Sequence, residues 1–418
     1  MKKSKSRTHQ KSTFSWVRVV KTSCLIPVVL MAIWVGFINL PKPEVVASVY
    51  QGRTLNRSLQ TVGNQEFQSG SQDDQATKPS PAELPFNVSV VYTPAYLIDL
   101  GGLEKLHPFD IKKYQKIYDQ LVQDKLIDEA KTFVPAELTR QELLLVHDQA
   151  YLDDLKNRKN VANYLEAPVL QYAPVSLDKA VLRPFKRASG GTVLAARLAL
   201  DVGIGINLGG GYHHAKPDRG EGFCLFADVP IAIRILQKER KIKRAVIIDV
   251  DVHQGNGTIK CLEADDTTFT FSMHQGNIYP IPKEVGDRDV ELRAGMGDTE
   301  YLKILQKHLG EVLDLSKADI CFIVGGCDPL KGDPLANLEM TDAGIARRDH
   351  MIVEACVQRK IPVVLTLSGG YRKDAWKAQH LSVKNLINSY KLSDVRSGQT
   401  ESKKAESKKK LQAKTRDH

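Results

Sequence analysis

The stretch that decides the fold is AVIIDVDVHQGNG, residues 245–257. It opens with four consecutive apolar residues, which is typical of a strand buried on both faces of a parallel sheet. Asp249, Asp251 and His253 follow at alternate positions, and side chains two residues apart in an extended chain point the same way. A buried strand that ends in carboxylate and imidazole groups indicates a ligand site at the carboxyl edge of such a sheet.

The pattern of an apolar run followed by a polar turn recurs throughout residues 86–390. Five further strands are predicted from it: Val88–Tyr92, Gly205–Leu208, Thr268–Ser272, Ile320–Val324 and Pro362–Leu367. Amphipathic helices are predicted between them: Ile111–Asp124, Gly191–Leu200, Pro230–Arg240, Thr299–Leu315, Thr341–Lys360 and Lys377–Ile387. Asp298 and Thr341 are the predicted N-caps. This alternation predicts an α/β fold whose parallel sheet is covered by helices on both faces.

The turns after several of these strands carry side chains with catalytic chemistry. His213 and His214 follow three glycines, Asp328 follows Gly-Gly-Cys, and Tyr371 follows Ser-Gly-Gly. Because ligands bind at the carboxyl ends of the strands in open α/β sheets, we expect these groups to converge on one site.

The chemistry of these groups predicts a metal-dependent hydrolase. Asp251, His253 and Asp328 form a set of three ligands with an open fourth position, which is typical of catalytic zinc or a similar divalent ion. His213 and His214 suit a general base and a general acid beside a metal-activated water.

Three more residues could support this chemistry. Asp249 and Asn256 are available to orient the rings of the two adjacent histidines, and only Asp249 would make its imidazole more basic. Tyr371 could donate a hydrogen bond to an oxyanion.

The composition narrows the class of protein. The chain has 418 residues, of which 26% are charged and 42% hydrophobic, and these values exclude a wholly disordered, collagen-like or polytopic membrane protein. Of the net charge of +10, residues 1–21 contribute +7 and residues 391–418 contribute +5, which leaves −2 for residues 22–390. The basic charge therefore lies in the tails and argues against a nucleic-acid-binding fold.

The N-terminal region predicts a membrane anchor. Residues 22–41 carry no charge and are long enough to cross a bilayer as a transmembrane helix. Because the basic residues precede this run, residues 1–21 are predicted to lie in the cytoplasm and the catalytic domain outside it. The alternative is a signal peptide, cleaved near Val45-Val46-Ala47, which would make the protein secreted. Residues 42–85 are predicted to be a disordered linker, and residues 391–418 a charged disordered tail.

The motifs resemble those of the zinc-dependent histone deacetylase family. The matching segments are GGGYHHA (209–215), RGEGFC (219–224), IIDVDVHQGNG (247–257), GGCDPLKGDPL (325–335) and LSGGY (367–371). GLEKLHPFD (102–110) and ASGGT (188–192) look most like the class IV, or eleven-type, branch. The resemblance covers roughly residues 86–390 and implies an arginase/deacetylase-type three-layer fold with a mostly parallel eight-stranded sheet.

The resemblance also implies a role for each site residue. By position, the catalytic Zn²⁺ would be bound by Asp251, His253 and Asp328. His213 would be the general base and His214 the general acid. Tyr371 would be the phenol that polarises the substrate carbonyl. Asp249 and Asn256 would lie behind the two histidines. The acyl-lysine tunnel would be formed by Gly222, Phe223, Tyr279 and Leu335. A structural K⁺ would be bound by Asp249, Asp251, His253, Ser272 and Met273.

The sequence also departs from the family pattern. Asn256 stands where many class I relatives have Asp, so we expect His214 to be the less basic ring. Gln254 replaces a second His, and Cys327 replaces a small Ala. The resemblance predicts a zinc amidohydrolase that removes acetyl or longer acyl groups from lysine in a protein or peptide. The alternatives are deacetylation of acetylpolyamines or another small amide, and a membrane-tethered binding scaffold with an inactive site.

Overall fold

The computed structural model describes residues 49–50 and 85–393. The predicted basic segment, membrane anchor and signal-peptide cleavage site lie outside these residues, as do most of the predicted linker and tail. Among the helices of the described part, none is long and apolar enough to span a bilayer.

The core of the fold is one sheet of eight strands. The strands are β1 (Val49–Tyr50), β2 (Asn87–Val91), β3 (Gly203–Asn207), β4 (Ala245–Asp249), β5 (Thr268–Gln275), β6 (Arg288–Leu292), β7 (Ile320–Val324) and β8 (Val363–Thr366). Their order across the sheet is β1-β6-β5-β4-β7-β8-β3-β2. Strands β2 to β8 run parallel, and β1 pairs antiparallel with β6 at one edge. The prediction of a mostly parallel sheet is confirmed.

Helices cover both faces of the sheet. They are α1 (Lys113–Gln123), α2 (Arg140–Leu143), α3 (Gln149–Asp154), α4 (Arg158–Tyr164), α5 (Arg183–Val202), α6 (Asp228–Lys238), α7 (Asn256–Cys261), α8 (Asp298–Ser316), α9 (Asp342–Gln358) and α10 (Trp376–Tyr390). Along β4, Val246 and Ile248 face one apolar core, and Ala245 and Ile247 face the other. The first core includes residues of α1, α8, α9 and α10, and the second includes residues of α5 and α6. This arrangement is the predicted three-layer fold.

Most of the predicted elements are confirmed, with shifted ends. The six predicted strands are β2, β3, β4, β5, β7 and β8. Helix α5 begins at Arg183, eight residues before its predicted start at Gly191. It therefore runs through Gly190 and Gly191 without a break. A Cβ on Gly190 would lie 2.0 Å from the carbonyl oxygen of Ala136, so this glycine allows a close approach of two segments.

The two predicted N-caps have different outcomes. Thr341 caps α9, since its hydroxyl accepts from the Gly344 N–H at 3.0 Å. Asp298 is not an N-cap: it is the first residue of α8, and its carboxylate accepts from the backbone N–H of Thr341 at 2.8 Å. Two residues of the predicted linker form β1, and the predicted tail begins in contact with the sheet, because the Ser393 N–H donates to the Val88 carbonyl.

The sheet order explains where the site lies. β4, β7, β8 and β3 are consecutive in the sheet, and the turns that follow them carry the residues of the predicted metal and catalytic groups. Parallel strands end at one edge, so these turns meet there.

We expect Gly205→Ala to destabilise the fold, because a Cβ on Gly205 in β3 would lie 2.0 Å from the backbone oxygen of Ala195 in α5. Forcing atoms into a packed core costs about 1–3 kcal/mol, which is measured as a lower urea midpoint of unfolding. Gly310→Ala in α8 is the control, since its Cβ would lie 3.5 Å from Arg359 Nη2 and alanine favours a helix by about 0.5–1 kcal/mol. Equal midpoints for the two variants would contradict this packing.

Candidate active site and metal centre

Three buried side chains meet at the ends of β4 and β7. Asp251, His253 and Asp328 offer ligand atoms that all lie within 4.8 Å of one another. His253 Nδ1 is 3.2 Å from Asp251 Oδ1 and 3.2 Å from Asp328 Oδ2. The sequence-predicted ligand set is therefore brought together in space.

The outer oxygens of the two carboxylates are bound by the protein. Asp251 Oδ2 accepts from the Ser368 hydroxyl at 3.0 Å and from the Gly369 N–H at 2.9 Å. Asp328 Oδ1 accepts from the Val252 N–H at 2.9 Å. The other oxygen, Asp328 Oδ2, is buried and accepts no hydrogen bond from any described residue. Since a buried carboxylate oxygen is costly without a partner, the donor set of two carboxylates and one imidazole fits a divalent cation such as Zn²⁺.

The adjacent histidines lie beside this cluster. Their ring centroids are 4.1 Å apart. His213 Nδ1 is 2.8 Å from Asp249 Oδ2, and His214 Nδ1 is 2.7 Å from Asn256 Oδ1. Both supporting partners named from the sequence are thus in place, and the Nε2 atom of His213 lies 3.8 Å from Asp251 Oδ1.

Aromatic rings surround the cluster. The Tyr371 ring lies 6.3 Å from the His253 ring and 5.9 Å from that of Phe223. The Tyr279 ring lies 4.9 Å from the His214 ring and 6.3 Å from the His253 ring. Tyr371 and Tyr279 thus lie beside His253, and Phe223 packs against Tyr371, while the acyl-lysine tunnel itself stays a prediction.

A family model of the histone deacetylase domain matches residues 107–386 of this chain. Histone deacetylase 2 of Arabidopsis thaliana is 37% identical over 303 residues, which are 72% of this chain and 78% of that protein. The chain belongs to the histone deacetylase family.

Two further similarities agree with this family. An uncharacterized protein of Picosynechococcus sp. is 35% identical to this histone deacetylase-family chain over 289 residues, or 68% of this chain and 92% of the relative. The crystal structure of the HDA15 HD domain aligns with a TM-score of 0.60, covering 72% of this chain and 90% of that chain at 23% identity. This last likeness shows the fold. The family membership shows a deacetylase-type hydrolase, and the family is zinc-dependent in general.

The structure also places the other predicted tunnel residues of this deacetylase-family site. Gly222 has φ +52°, and a Cβ there would lie 2.5 Å from His214 Cδ2, so only glycine fits against this ring. Its carbonyl accepts from the Cys224 thiol at 3.3 Å. Leu335 is half-buried on the loop after Asp328, and its place at the tunnel mouth stays a prediction.

The predicted potassium ligands lie on β4, on β5 and in the turn after β4. Ser272 is the register partner of Asp249, and the buried Met273 follows it. The Ser272 hydroxyl bonds to His274 Nδ1 at 2.9 Å. The K⁺ site itself stays a prediction.

The two histidines differ in basicity. Burial lowers the pKa of His213, but the charges of Asp249 and Asp251 outweigh burial and raise this pKa to about 9. Burial, together with the charges of His213 and His253, holds the pKa of His214 well below its usual range. His214 is the less basic ring, as the replacement of a carboxylate by Asn256 predicts. A divalent cation would lower the pKa of both rings, because it adds positive charge next to them.

Sequence reasoning missed three residues that bind the candidate site from behind. Arg348 Nη1 donates to the carbonyls of Val250 at 2.9 Å and Gly326 at 2.7 Å. Lys113 Nζ donates to the carbonyls of Ser368 and Gly369 at 2.5 and 2.8 Å. Both cations are buried, with 0% and 2% exposure.

The third missed residue is Asp333, whose Oδ2 accepts from the Tyr371 N–H at 2.8 Å. Burial and the nearby charge of Asp328 raise its pKa to about 7. The sequence carries a signal for Asp333, because it lies inside the GGCDPLKGDPL segment. For the buried cations the sequence shows only ordinary helical Lys and Arg.

Asp328→Asn should abolish stoichiometric zinc binding, because the substitution removes the negative charge of a proposed ligand whose Oδ2 accepts no hydrogen bond in the described structure. Zinc content of the purified protein measures this. Asp319→Asn is the matched control at the opposite end of β7, where Asp319 Oδ2 accepts from the N–H groups of Lys243 and Arg244. Full zinc occupancy in Asp328→Asn would contradict its role as a ligand.

Proposed function

We propose that this chain is a zinc-dependent amidohydrolase of the class IV branch that removes acyl groups from lysine side chains. The observation that carries the proposal is the buried group of Asp251, His253 and Asp328, with one carboxylate oxygen free of protein hydrogen bonds, beside two histidines and a phenol. The two segments that look like class IV, residues 102–110 and 188–192, support the assignment to that branch.

The protein groups divide the proton transfers among them. Zinc, when bound, would lower the pKa of a water molecule to about 7 and polarise the amide carbonyl. His213 takes the proton at Nε2, since its Nδ1 is held by Asp249, and this buried carboxylate stabilises the imidazolium that forms. His214, backed by the neutral Asn256, is a neutral ring at rest, so it first takes up a proton of the attacking water at Nε2 and then passes this proton to the leaving lysine amine. An imidazolium without a carboxylate partner is the stronger acid of the pair.

Tyr371 stabilises the developing oxyanion through its phenol O–H. Its backbone N–H is fixed by Asp333 at 2.8 Å, and its ring packs against Phe223 and Phe109 at 5.9 and 6.1 Å. The phenol is therefore held in one place before substrate binds, which is the condition for this kind of stabilisation.

Two parts of the proposal concern the rest of the protein. A K⁺ ion bound by Asp249, Ser272 and their neighbours would stabilise the turn that carries the zinc ligands. Residues 22–41 would anchor the protein in a membrane with the catalytic domain outside the cytoplasm, or would be removed from a secreted form. A reporter fused to the C-terminus, active on only one side of the membrane, tests this topology.

Turnover of a panel of lysine peptides, from acetyl to myristoyl, and of acetylpolyamines tests the activity, with and without a chelator. Chelator-sensitive hydrolysis of an acyl-lysine peptide is the expected result. Preference for an acetylpolyamine would contradict the peptide substrate. Bound zinc without hydrolysis of any of these amides would contradict the enzyme and favour a binding scaffold.

Tyr371→Phe should lower kcat on an acyl-lysine peptide by roughly 10²–10³, the scale of one lost oxyanion donor, and leave zinc content unchanged. Tyr172→Phe is the control, because Tyr172 is 84% exposed and lies outside the groups that surround the metal cluster. Steady-state kinetics separate kcat from KM. A kcat equal to that of the unmodified protein would refute the role of the phenol.

A further inference from the structure

The Glu221 carboxylate joins two parts of the pocket. Its Oε1 accepts from Asn256 Nδ2 at 2.9 Å and from the Tyr279 hydroxyl at 2.7 Å. Its Oε2 lies 3.3 Å from Lys216 Nζ and 3.3 Å from Arg219 Nε. One carboxylate oxygen thus holds both the residue behind His214 and an aromatic ring at the border of the pocket.

The contact with Asn256 decides which way its amide faces. An amide can present either its oxygen or its NH₂ group to a neighbour, whereas an ionised carboxylate only accepts hydrogen bonds. Glu221 therefore requires the NH₂ group of Asn256, which turns Oδ1 toward His214 Nδ1, 2.7 Å away.

The orientation of this amide in turn fixes the tautomer of His214. Because Asn256 Oδ1 accepts, His214 Nδ1 carries the hydrogen, and Nε2 of the neutral ring is the nitrogen that exchanges protons in the pocket. With the amide reversed, its NH₂ group would donate to Nδ1 and the hydrogen would move to Nε2.

The contact with Tyr279 links the same oxygen to the pocket wall. The Tyr279 ring packs edge-on against His214, with the centroids 4.9 Å apart. The phenol donates to Glu221 although 37% of Tyr279 is exposed. The hydrogen bonds from Tyr279 and Asn256, with the charge of Lys216, outweigh burial and hold the pKa of Glu221 below its usual range, so this group is a carboxylate at neutral pH.

We propose that Glu221 is a positioning residue, which holds Asn256 and Tyr279 through one oxygen and thereby sets which nitrogen of His214 faces the substrate. The kinetic part of this inference rests on the proposed function. Glu221 takes over, one hydrogen bond further away, the anionic support that a carboxylate at position 256 would give directly.

Single variants of Glu221 and Asn256, and a double variant of both positions, test the proposal in the full-length chain. Glu221→Ala should lower kcat about 10–100-fold, the usual effect of losing a supporting partner, with zinc content unchanged and a smaller change in KM. Asn256→Asp should lower kcat similarly, because it sets two carboxylates against each other at the present 2.9 Å contact.

The combination of Glu221→Gln with Asn256→Asp should restore kcat to within about threefold of the unmodified chain. The new amide at 221 can donate to the new carboxylate at 256, which still accepts from His214 Nδ1. A double variant that shows the full product of the losses measured for Glu221→Gln alone and for Asn256→Asp alone would overturn the proposal.

Glu284→Ala is the matched control. Glu284 Oε1 is 3.5 Å from Lys216 Nζ, but its carboxylate is not among the partners of Asn256 or Tyr279 in the described structure. This variant should keep kcat within about twofold if the effect comes from the Asn256 and Tyr279 contacts rather than from the charge around Lys216. A loss equal to that of Glu221→Ala would overturn the proposal.

Nitrogen NMR of histidine-labelled, zinc-loaded protein gives a readout that is independent of turnover. His214 should be the Nδ1–H tautomer in the unmodified chain and should shift toward Nε2–H in Glu221→Ala. If no acyl-lysine peptide is hydrolysed, the proposed function fails while this measurement still decides the role of Glu221. An unchanged tautomer in Glu221→Ala would overturn the inference.

Discussion

Two buried carboxylates, Asp251 and Asp328, face each other across the ends of neighbouring strands, and the pocket is organised around holding them. Each is nearly inaccessible to solvent, with 1% and 0% exposure, and buried charges need compensation. His253 supplies one partner within 3.2 Å of both. The backbone of the Ser368–Tyr371 turn and of Val252 binds the outer oxygens. This buried group of two carboxylates and one imidazole could hold a divalent cation.

Buried cations behind Asp251 and Asp328 also support the turns that carry the site residues. Arg348 binds the carbonyls of Val250 and Gly326, which lie just before Asp251 and Asp328 in the chain. Lys113 binds the turn that carries Tyr371. The site is thus supported by strand ends, buried cations and glycine turns. A catalytic site needs such support because its geometry must exist before substrate binds.

Much of this could be predicted from the sequence, because each strand that ends at the site is an apolar run followed by a polar turn. Strand β6 could not be recognised this way. Arg288, Asp289 and Glu291 are charged, so the strand does not read as an apolar run in the sequence, although most of it is buried. The Arg288 guanidinium is compensated by Glu311 at 3.1 Å, a partner 23 residues away. Lys113 and Arg348 were missed for the same reason. Their burial depends on carbonyls that only the folded chain brings near, and a helical Lys or Arg usually faces solvent.

X-ray absorption at the zinc edge of the purified full-length protein tests the central claim most directly. The account predicts one zinc per chain with only nitrogen and oxygen neighbours at about 2.0–2.2 Å, and an imidazole signature from His253. Sulfur neighbours at about 2.3 Å, or a second metal at about 3.5–4 Å, would contradict a single cation bound by two carboxylates and one imidazole.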